Sequence, residues 1–270
     1  MFRKYGFIGI LLISFAEINF FLKIQPLASW YFPIIWLGFI LVVDALIYKI
    51  RKYSPLMNHP VGLAFIFLLS IPFWYVFEFW NIFTLNWYYT PEFTPLIRFV
   101  SAAFIFPAIY ETYLLISTVH LFDNIKLQKS HKITKKVLYS IVLLGVICFI
   151  IPVFFPKFAF PMAWLTFFFI LDPINYLHKQ PSIIGHLKDK NLKVPLSFLF
   201  TGIIIGFLWE FWNYWAIPKW TYDIPFISFF KIFEMPILGY LGYFPFAFEL
   251  YSMYWFVISL FTHKKYLLAD

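Results

Sequence analysis

Polar residues in this chain are gathered into short stretches, and between them lie eight long apolar blocks. The blocks cover roughly residues 5–23, 29–50, 61–84, 95–120, 137–156, 159–177, 194–216 and 232–262, each near or above the ~20 residues that carry a helix across a bilayer. The pattern predicts an all-α polytopic membrane protein of about eight transmembrane helices. The last block is overlong and contains Pro236, Gly239, Gly242 and Pro245. It is expected to form either one kinked helix or a re-entrant piece followed by a helix.

The polar stretches alternate in charge. Arg3 and Lys4 precede the first block, and Lys49, Arg51 and Lys52 follow the second. Lys126, Lys129, Lys132, Lys135 and Lys136 follow the fourth, Lys179, Lys188, Lys190 and Lys193 the sixth, and Lys264 and Lys265 close the chain. Basic loops stay in the cytoplasm, so both termini are expected there and loops 85–94 and 217–230 on the far side. These two loops carry Trp87, Tyr88, Tyr89, Trp220 and Tyr222, with Pro91 and Pro225 to stiffen them. Their aromatic residues fit interfacial anchoring; their matched positions also fit a lid packed over a central site.

Composition sharpens this picture. The chain is 62% hydrophobic and 13% charged, about half the charge of an ordinary soluble domain. The net charge of +8 sits in the loops, so it marks orientation and not a nucleic-acid partner. Cys148 is the one cysteine, which excludes an intrachain disulfide and a cysteine-based metal site. Arg3-Lys4 before an apolar run has the look of a signal peptide. Glu17 interrupts that run and no small-residue cleavage site follows, so an uncleaved first helix is expected.

The chain also repeats itself. Trp36-Leu37-x-Phe39-x4-Asp44-x3-Tyr48 matches Trp164-Leu165-x-Phe167-x4-Asp172-x3-Tyr176. Glu78-Phe79-Trp80-Asn81 matches Glu210-Phe211-Trp212-Asn213, and Phe106-Pro107-x3-Glu111-x-Tyr113 matches Phe244-Pro245-x3-Glu249-x-Tyr251. The offsets of 128, 132 and 138 differ only by loop-sized insertions. Trp87-x-Tyr89 and Trp220-x-Tyr222 extend the match. The expected organisation is a first four-helix repeat over 1–125, a basic cytoplasmic linker over 126–136 and a second repeat over 137–270. Four helices return the chain to its starting side, so the repeats are parallel, related by a two-fold axis along the membrane normal.

Each matched segment holds an acid. A carboxylate at the bilayer centre costs about 3 kcal/mol on insertion scales, so these groups must face the protein interior, pair or take a proton. Asn81 and Asn213 lie three residues beyond Glu78 and Glu210, on the same helix face. Pro107 and Pro245 precede Glu111 and Glu249 by four residues, and each frees a backbone carbonyl one turn back. Asp44 and Asp172 lie near basic loops and could pair with Lys49, Arg51, Lys179 or Lys188. All these acids could equally hold helices together by hydrogen bonds.

Much chemistry is excluded. A di-metal carboxylate site would use Glu-x-x-His, and Asn holds the His position in both halves. The six histidines, His59, His120, His131, His178, His186 and His263, fall in loops or at helix ends. No metal or other cofactor is expected. What remains is a set of carboxyls among Trp, Tyr and Phe, which suits proton donation to an alkene or epoxide, with π-faces stabilising the cation. The duplicated, all-helical, acid-bearing plan resembles the two-part integral-membrane lycopene cyclases and the transmembrane terpene cyclases. Phe233-Glu234-Met235-Pro236 is similar to the Pro- and Glu-containing signatures of the carotenoid cyclases, without their adjacent acidic pair. Trp-Glu-Phe-Trp-Asn and Phe-Glu-Met-Pro-Ile-Leu-Gly-Tyr-Leu-Gly-Tyr also resemble words of an uncharacterised bacterial membrane family. The resemblance implies an enzyme that starts cyclisation or isomerisation of an isoprenoid with membrane-embedded acids, in a bacterial inner membrane.

Three functions stay open on the sequence: such a lipid-active enzyme, a proton-coupled transporter with its site at the repeat interface, and a structural or assembly protein. Under the enzymatic reading Glu210 and Glu249 are proton donor and acceptor. Asn213 orients Glu210, while Glu78, Glu111 and Asn81 are their first-half counterparts. Trp209, Trp212, Trp80, Tyr251, Tyr113, Glu234, Gly239 and Gly242 wall the pocket. The expected partners are membrane lipids and a lipophilic small molecule.

Overall fold

The computed structural model describes residues 1–129 and 132–261; His131, His263, Lys264 and Lys265 lie outside them. The chain runs through α1 (Lys4–Leu22), α2 (Tyr31–Arg51), α3 (Pro55–Asn58), α4 (Pro60–Thr84), β1 (Trp87–Tyr89), α5 (Pro95–Ala102) and α6 (Ile105–Thr118). It continues through α7 (Lys135–Phe154), α8 (Pro156–Ala159), α9 (Thr166–Leu177), α10 (Ile183–Lys188) and α11 (Lys193–Trp215). Last come β2 (Trp220–Tyr222), β3 (Lys231–Ile232), β4 (Met235–Pro236) and α12 (Tyr243–Ser259). Proline opens α3, α4, α5 and α8, where its missing N–H removes nothing from the helix. Thr94, Thr134 and Ser182 cap α5, α7 and α10 through their hydroxyls.

This is an all-α membrane protein. Among the described residues, seven helical stretches are long and apolar enough to span a bilayer: Lys4–Leu22, Tyr31–Arg51, Pro60–Thr84, Pro95–Thr118, Lys135–Phe154, Pro156–Leu177 and Lys193–Trp215. α12 has 17 residues and packs inside the bundle against α9 and α11.

Three apolar blocks are interrupted where the sequence places proline. The fourth divides between Ala102 and Ile105, because Pro107 cannot donate to the carbonyl one turn back. Ser70 of α4 bridges the gap: its Oγ donates to the Ala102 carbonyl at 2.5 Å and accepts from the Phe106 N–H at 3.0 Å. The sixth block begins as a 3-10 helix over Phe160–Leu165. The eighth is neither one kinked helix nor uniformly helical. Its first residues form the β3–β4 hairpin, Ile237–Gly242 is a 3-10 turn, and α12 follows.

The helices run between two differently built ends. At one, β1 and β2 pair antiparallel, with Trp87 opposite Tyr222, Tyr88 opposite Thr221 and Tyr89 opposite Trp220. The pair is extended by Thr90 N to the Lys219 carbonyl at 2.9 Å and by Asp223 N to the Asn86 carbonyl at 2.9 Å. At the other end Lys126 bridges to Asn191, and Lys193 pairs with Asp123 at 2.8 Å. α1 reaches α2 through glycine. A Cβ on Gly9 would lie 2.6 Å from the Gly38 carbonyl oxygen, the close approach small residues permit between membrane helices.

Asp44 and Asp172 do not pair with the neighbouring lysines and arginine. Asp44 accepts from Ser54 Oγ and from the Leu56 N–H, each at 2.8 Å, and from the Tyr5 hydroxyl at 2.5 Å. Asp172 accepts from the Ile183 N–H at 2.7 Å and the Ile184 N–H at 2.9 Å. Each carboxylate thus caps the short helix twelve residues later, α3 or α10, where free N–H groups and the positive helix end favour a negative charge.

The β1–β2 pair joins distant parts of the chain, and it can be trapped. Directly opposed strand residues sit within disulfide range, and Cys148 is buried. Tyr88→Cys with Thr221→Cys should oxidise to a single cross-link. With a protease site placed in 126–136, the two cleaved halves should stay together on a non-reducing gel and separate after reduction.

Candidate functional site

Beneath the paired strands lies a cavity of about 370 Å³. It opens where the three helix interruptions meet. Its wall includes Ser101, Ala102 and Ile105 from the first break, Phe160, Trp164 and Leu165 from the second, and Leu238, Gly239 and Gly242 from the third. Trp87, Tyr89, Trp220 and Tyr222 of the strands close it, so these aromatics are cavity wall as well as loop. The rings support one another: Trp209 lies 5.5 Å from both Trp74 and Trp220, and Trp164 lies 5.7 Å from Phe246.

Among the described residues no carboxyl lines the cavity. Two stand one hydroxyl behind it. Glu210 is fully buried, and its Oε1 accepts from the Tyr222 and Tyr243 hydroxyls, each at 2.6 Å. Both tyrosines belong to the wall. Trp220 Nε1 in turn donates to the Tyr222 oxygen at 2.7 Å. In the first half Glu78 Oε1 accepts from the Tyr89 hydroxyl at 2.5 Å and from Trp87 Nε1 at 3.3 Å. Burial and the adjacent Glu210 push the Tyr222 phenol well above its ordinary range. Burial and Glu78 do the same to Tyr89. Both therefore keep their protons.

Glycine sets the second of these contacts. A Cβ on Gly206 would lie 2.4 Å from Tyr243 Cδ2, and one on Gly202 would lie 2.5 Å from the Tyr243 carbonyl oxygen. Tyr243 therefore lies flat on α11, one turn from Glu210, with its hydroxyl at the carboxylate.

The other predicted residues divide. Trp209, Gly239 and Gly242 line the cavity. Asn213 and Asn81 are not oriented on their glutamates. Asn213 accepts from the Trp220 N–H at 3.0 Å and donates to the Trp220 carbonyl at 2.8 Å. Asn81 does the same to the Trp87 N–H and carbonyl, at 3.2 and 2.8 Å. The asparagines fix the start of each strand, because a carboxamide matches a backbone donor and acceptor together. Glu234 forms an ion pair with Lys219 at 2.6 Å. Trp80 donates to the Phe149 carbonyl at 3.2 Å, and Trp212 to Glu17 Oε1 at 3.3 Å. Tyr251 bonds His186 at 3.0 Å, and Tyr113 stacks on Phe198 with centroids 4.2 Å apart. Glu249 and Glu111 are fully buried away from the wall. Glu249 Oε1 accepts from the Phe167 N–H at 2.8 Å, released by the second helix break. Glu111 lies beside Asp44, and no N–H or hydroxyl donor meets either of its oxygens.

Sequence reasoning missed Tyr243 and Arg98, both wall residues. Arg98 carried a signal, since it and Glu111 are the only charged residues in the block 95–120. Among the described residues no group of three or more His, Cys, Asp or Glu side chains could hold a metal ion. Comparisons of the chain with protein-family models, with curated proteins and with solved structures find no match.

The seat of Tyr243 gives a direct test. Gly206→Ala must push the ring off α11, and overpacking of this kind costs about 1–3 kcal/mol. The melting temperature should fall by more than in Tyr243→Phe, which deletes one hydroxyl. Combined with Tyr243→Phe, the loss should be less than the sum of the two.

Proposed function

We propose that this protein is an integral-membrane enzyme that takes a lipophilic small molecule into the aromatic cavity and moves a proton on it through Glu210. One observation carries this reading: two tyrosine hydroxyls of the cavity wall converge on a single oxygen of a buried carboxyl. Glu210 in its acid form can pass a proton to the Tyr222 or Tyr243 oxygen while that tyrosine passes its own to an alkene carbon. Loss of a proton from a neighbouring carbon to the same tyrosine restores Glu210. Atoms and charge balance without a co-reactant, so the reaction class is isomerisation or cyclisation. The Trp and Phe faces supply stabilisation for the cation between the two steps. The steps pass through Glu210 alone, because Glu249 is held by a backbone N–H outside the wall.

The same reading takes the chain as two parallel four-helix repeats, with α12 as the eighth crossing and a two-fold axis between Tyr88 and Thr221. Support comes from matched partners: Asp44 and Asp172 on the helix that follows, Asn81 and Asn213 on a strand, Glu78 and Glu210 on a strand tyrosine. The lysine distribution supports cytoplasmic termini, and the plan of the chain a bacterial inner membrane.

Glu210→Gln keeps the size of the side chain and removes its acid–base action, which is worth on the order of a hundredfold or more in rate. Lipid extracts from membranes containing the protein should hold a product that falls by that factor with Glu210→Gln. Tyr222→Phe and Tyr243→Phe should each fall less, since either hydroxyl can serve. Glu249→Gln should keep turnover and lower the melting temperature. Full turnover in Glu210→Gln would refute the acid–base reading.

A further inference from the structure

Among the described residues Arg98 is the one charged side chain in the cavity wall, and no carboxylate there forms an ion pair with it. Its guanidinium carbon lies 4.7 Å from the centroid of the Tyr89 ring. Glu78, which bonds the hydroxyl of that ring, makes no ion pair with it. Arg98 Nε is buried without a hydrogen-bond partner. Three residues on, Ser101 also lines the cavity; it is 5% exposed, and its Oγ has no partner. Residues three apart share a helix face, so a cation and a hydroxyl donor stand together on α5 with unanswered hydrogens.

Arg98 is half-buried, and two of these donors, Arg98 Nε and Ser101 Oγ, are sealed from solvent, so the arrangement is costly unless an acceptor completes it. Arg98 lies just after the start of α5, where the helix end is already positive and a cation is disfavoured. Unmatched buried donors are rare in native proteins. The rest of the wall is aromatic and aliphatic. The cavity, at about 370 Å³, is at the small end of ligand sites, which span about 300–1,000 Å³. That suits one chain and not a two-chain phospholipid.

We infer that the ligand is a single-chain amphipath with an anionic head, a carboxylate or a phosphate, bound by Arg98 and Ser101, with its chain running toward Tyr222 and Tyr243. This rests on the cavity taking a lipophile, and it specifies which kind. The two acceptor oxygens of such a head match the guanidinium and hydroxyl donors, and the chain is left against the rings that face the proton relay.

The test uses the full chain in nanodiscs of zwitterionic phosphatidylcholine, with dodecyl phosphate, dodecanoate and dodecanol added at equal mole fraction. Binding is read from the rise in melting temperature across a concentration series. At least one of the two anions should bind about tenfold or more tightly than the alcohol, and the better anion identifies the head. Arg98→Gln should abolish the preference and Ser101→Ala should weaken it. If Arg98→Gln does not fold, Arg98→Lys keeps the charge without the fork and should retain part of the preference. Equal binding of all three probes would overturn the anionic head and leave the lipophile site standing. Binding of none would overturn both.

Discussion

A carboxyl placed in an apolar bundle is stabilised by donors, and most of this architecture follows from where Asp44, Asp172, Glu78 and Glu210 find their donors. They do not come from partner carboxyls or from the lysines. Asp44 and Asp172 are met by the backbone of the short helices that follow them, Glu78 and Glu210 by tyrosines of the paired strands. Each acid thereby ties a connecting segment to the helix it leaves. At one end this closes the turns between α2 and α4 and between α9 and α11. At the other it draws two loops inward until they pair with each other and roof a cavity. The insertion cost of a buried carboxyl, about 3 kcal/mol, is thus offset by contacts that also fix the loops.

Half of this was legible in the sequence. The long apolar blocks locate the helices, because in lipid the backbone must satisfy its own hydrogen bonds. The matched words Glu-Phe-Trp-Asn and Trp-x-Tyr identify the pieces of both strand anchors. What the words lack is direction. Glu and Asn three residues apart suggest a mutual contact, yet the asparagines reach backbone six or seven residues downstream, and a helical wheel carries no information about that. The lysines near Asp44 and Asp172 suggest ion pairs, but the ends of α3 and α10 present N–H groups nearer and already dry. Arg98 stands outside the repeat, since its acids carry the matches and the second half has Pro236 at the aligned position.

The departures from symmetry lie at the cavity. Pro107 and Pro245 stand at matched positions, but the break at Pro107 is patched by Ser70, whereas the chain before Pro245 forms a full 3-10 turn. That turn swings Tyr243 onto Gly202 and Gly206 and adds a hydroxyl to Glu210 that Glu78 does not have. The first half contributes Arg98 and Ser101 instead. The two halves of the chain thus line the cavity with unlike groups, the Arg98 guanidinium from one and the tyrosines on Glu210 from the other.

Glu210 makes the same point at atomic scale. A carboxylate that merely holds helices together is best served by donors spread over both oxygens, as at Asp44 and Asp172. Glu210 instead gathers two hydroxyls on Oε1 and leaves Oε2 buried without a partner. For a static ion this geometry is wasteful, since an unmet acceptor away from water costs about 1–3 kcal/mol. Glu249 leaves its Oε2 equally unmet, so what sets Glu210 apart is the pair of wall hydroxyls on Oε1, where Glu249 takes a backbone N–H instead.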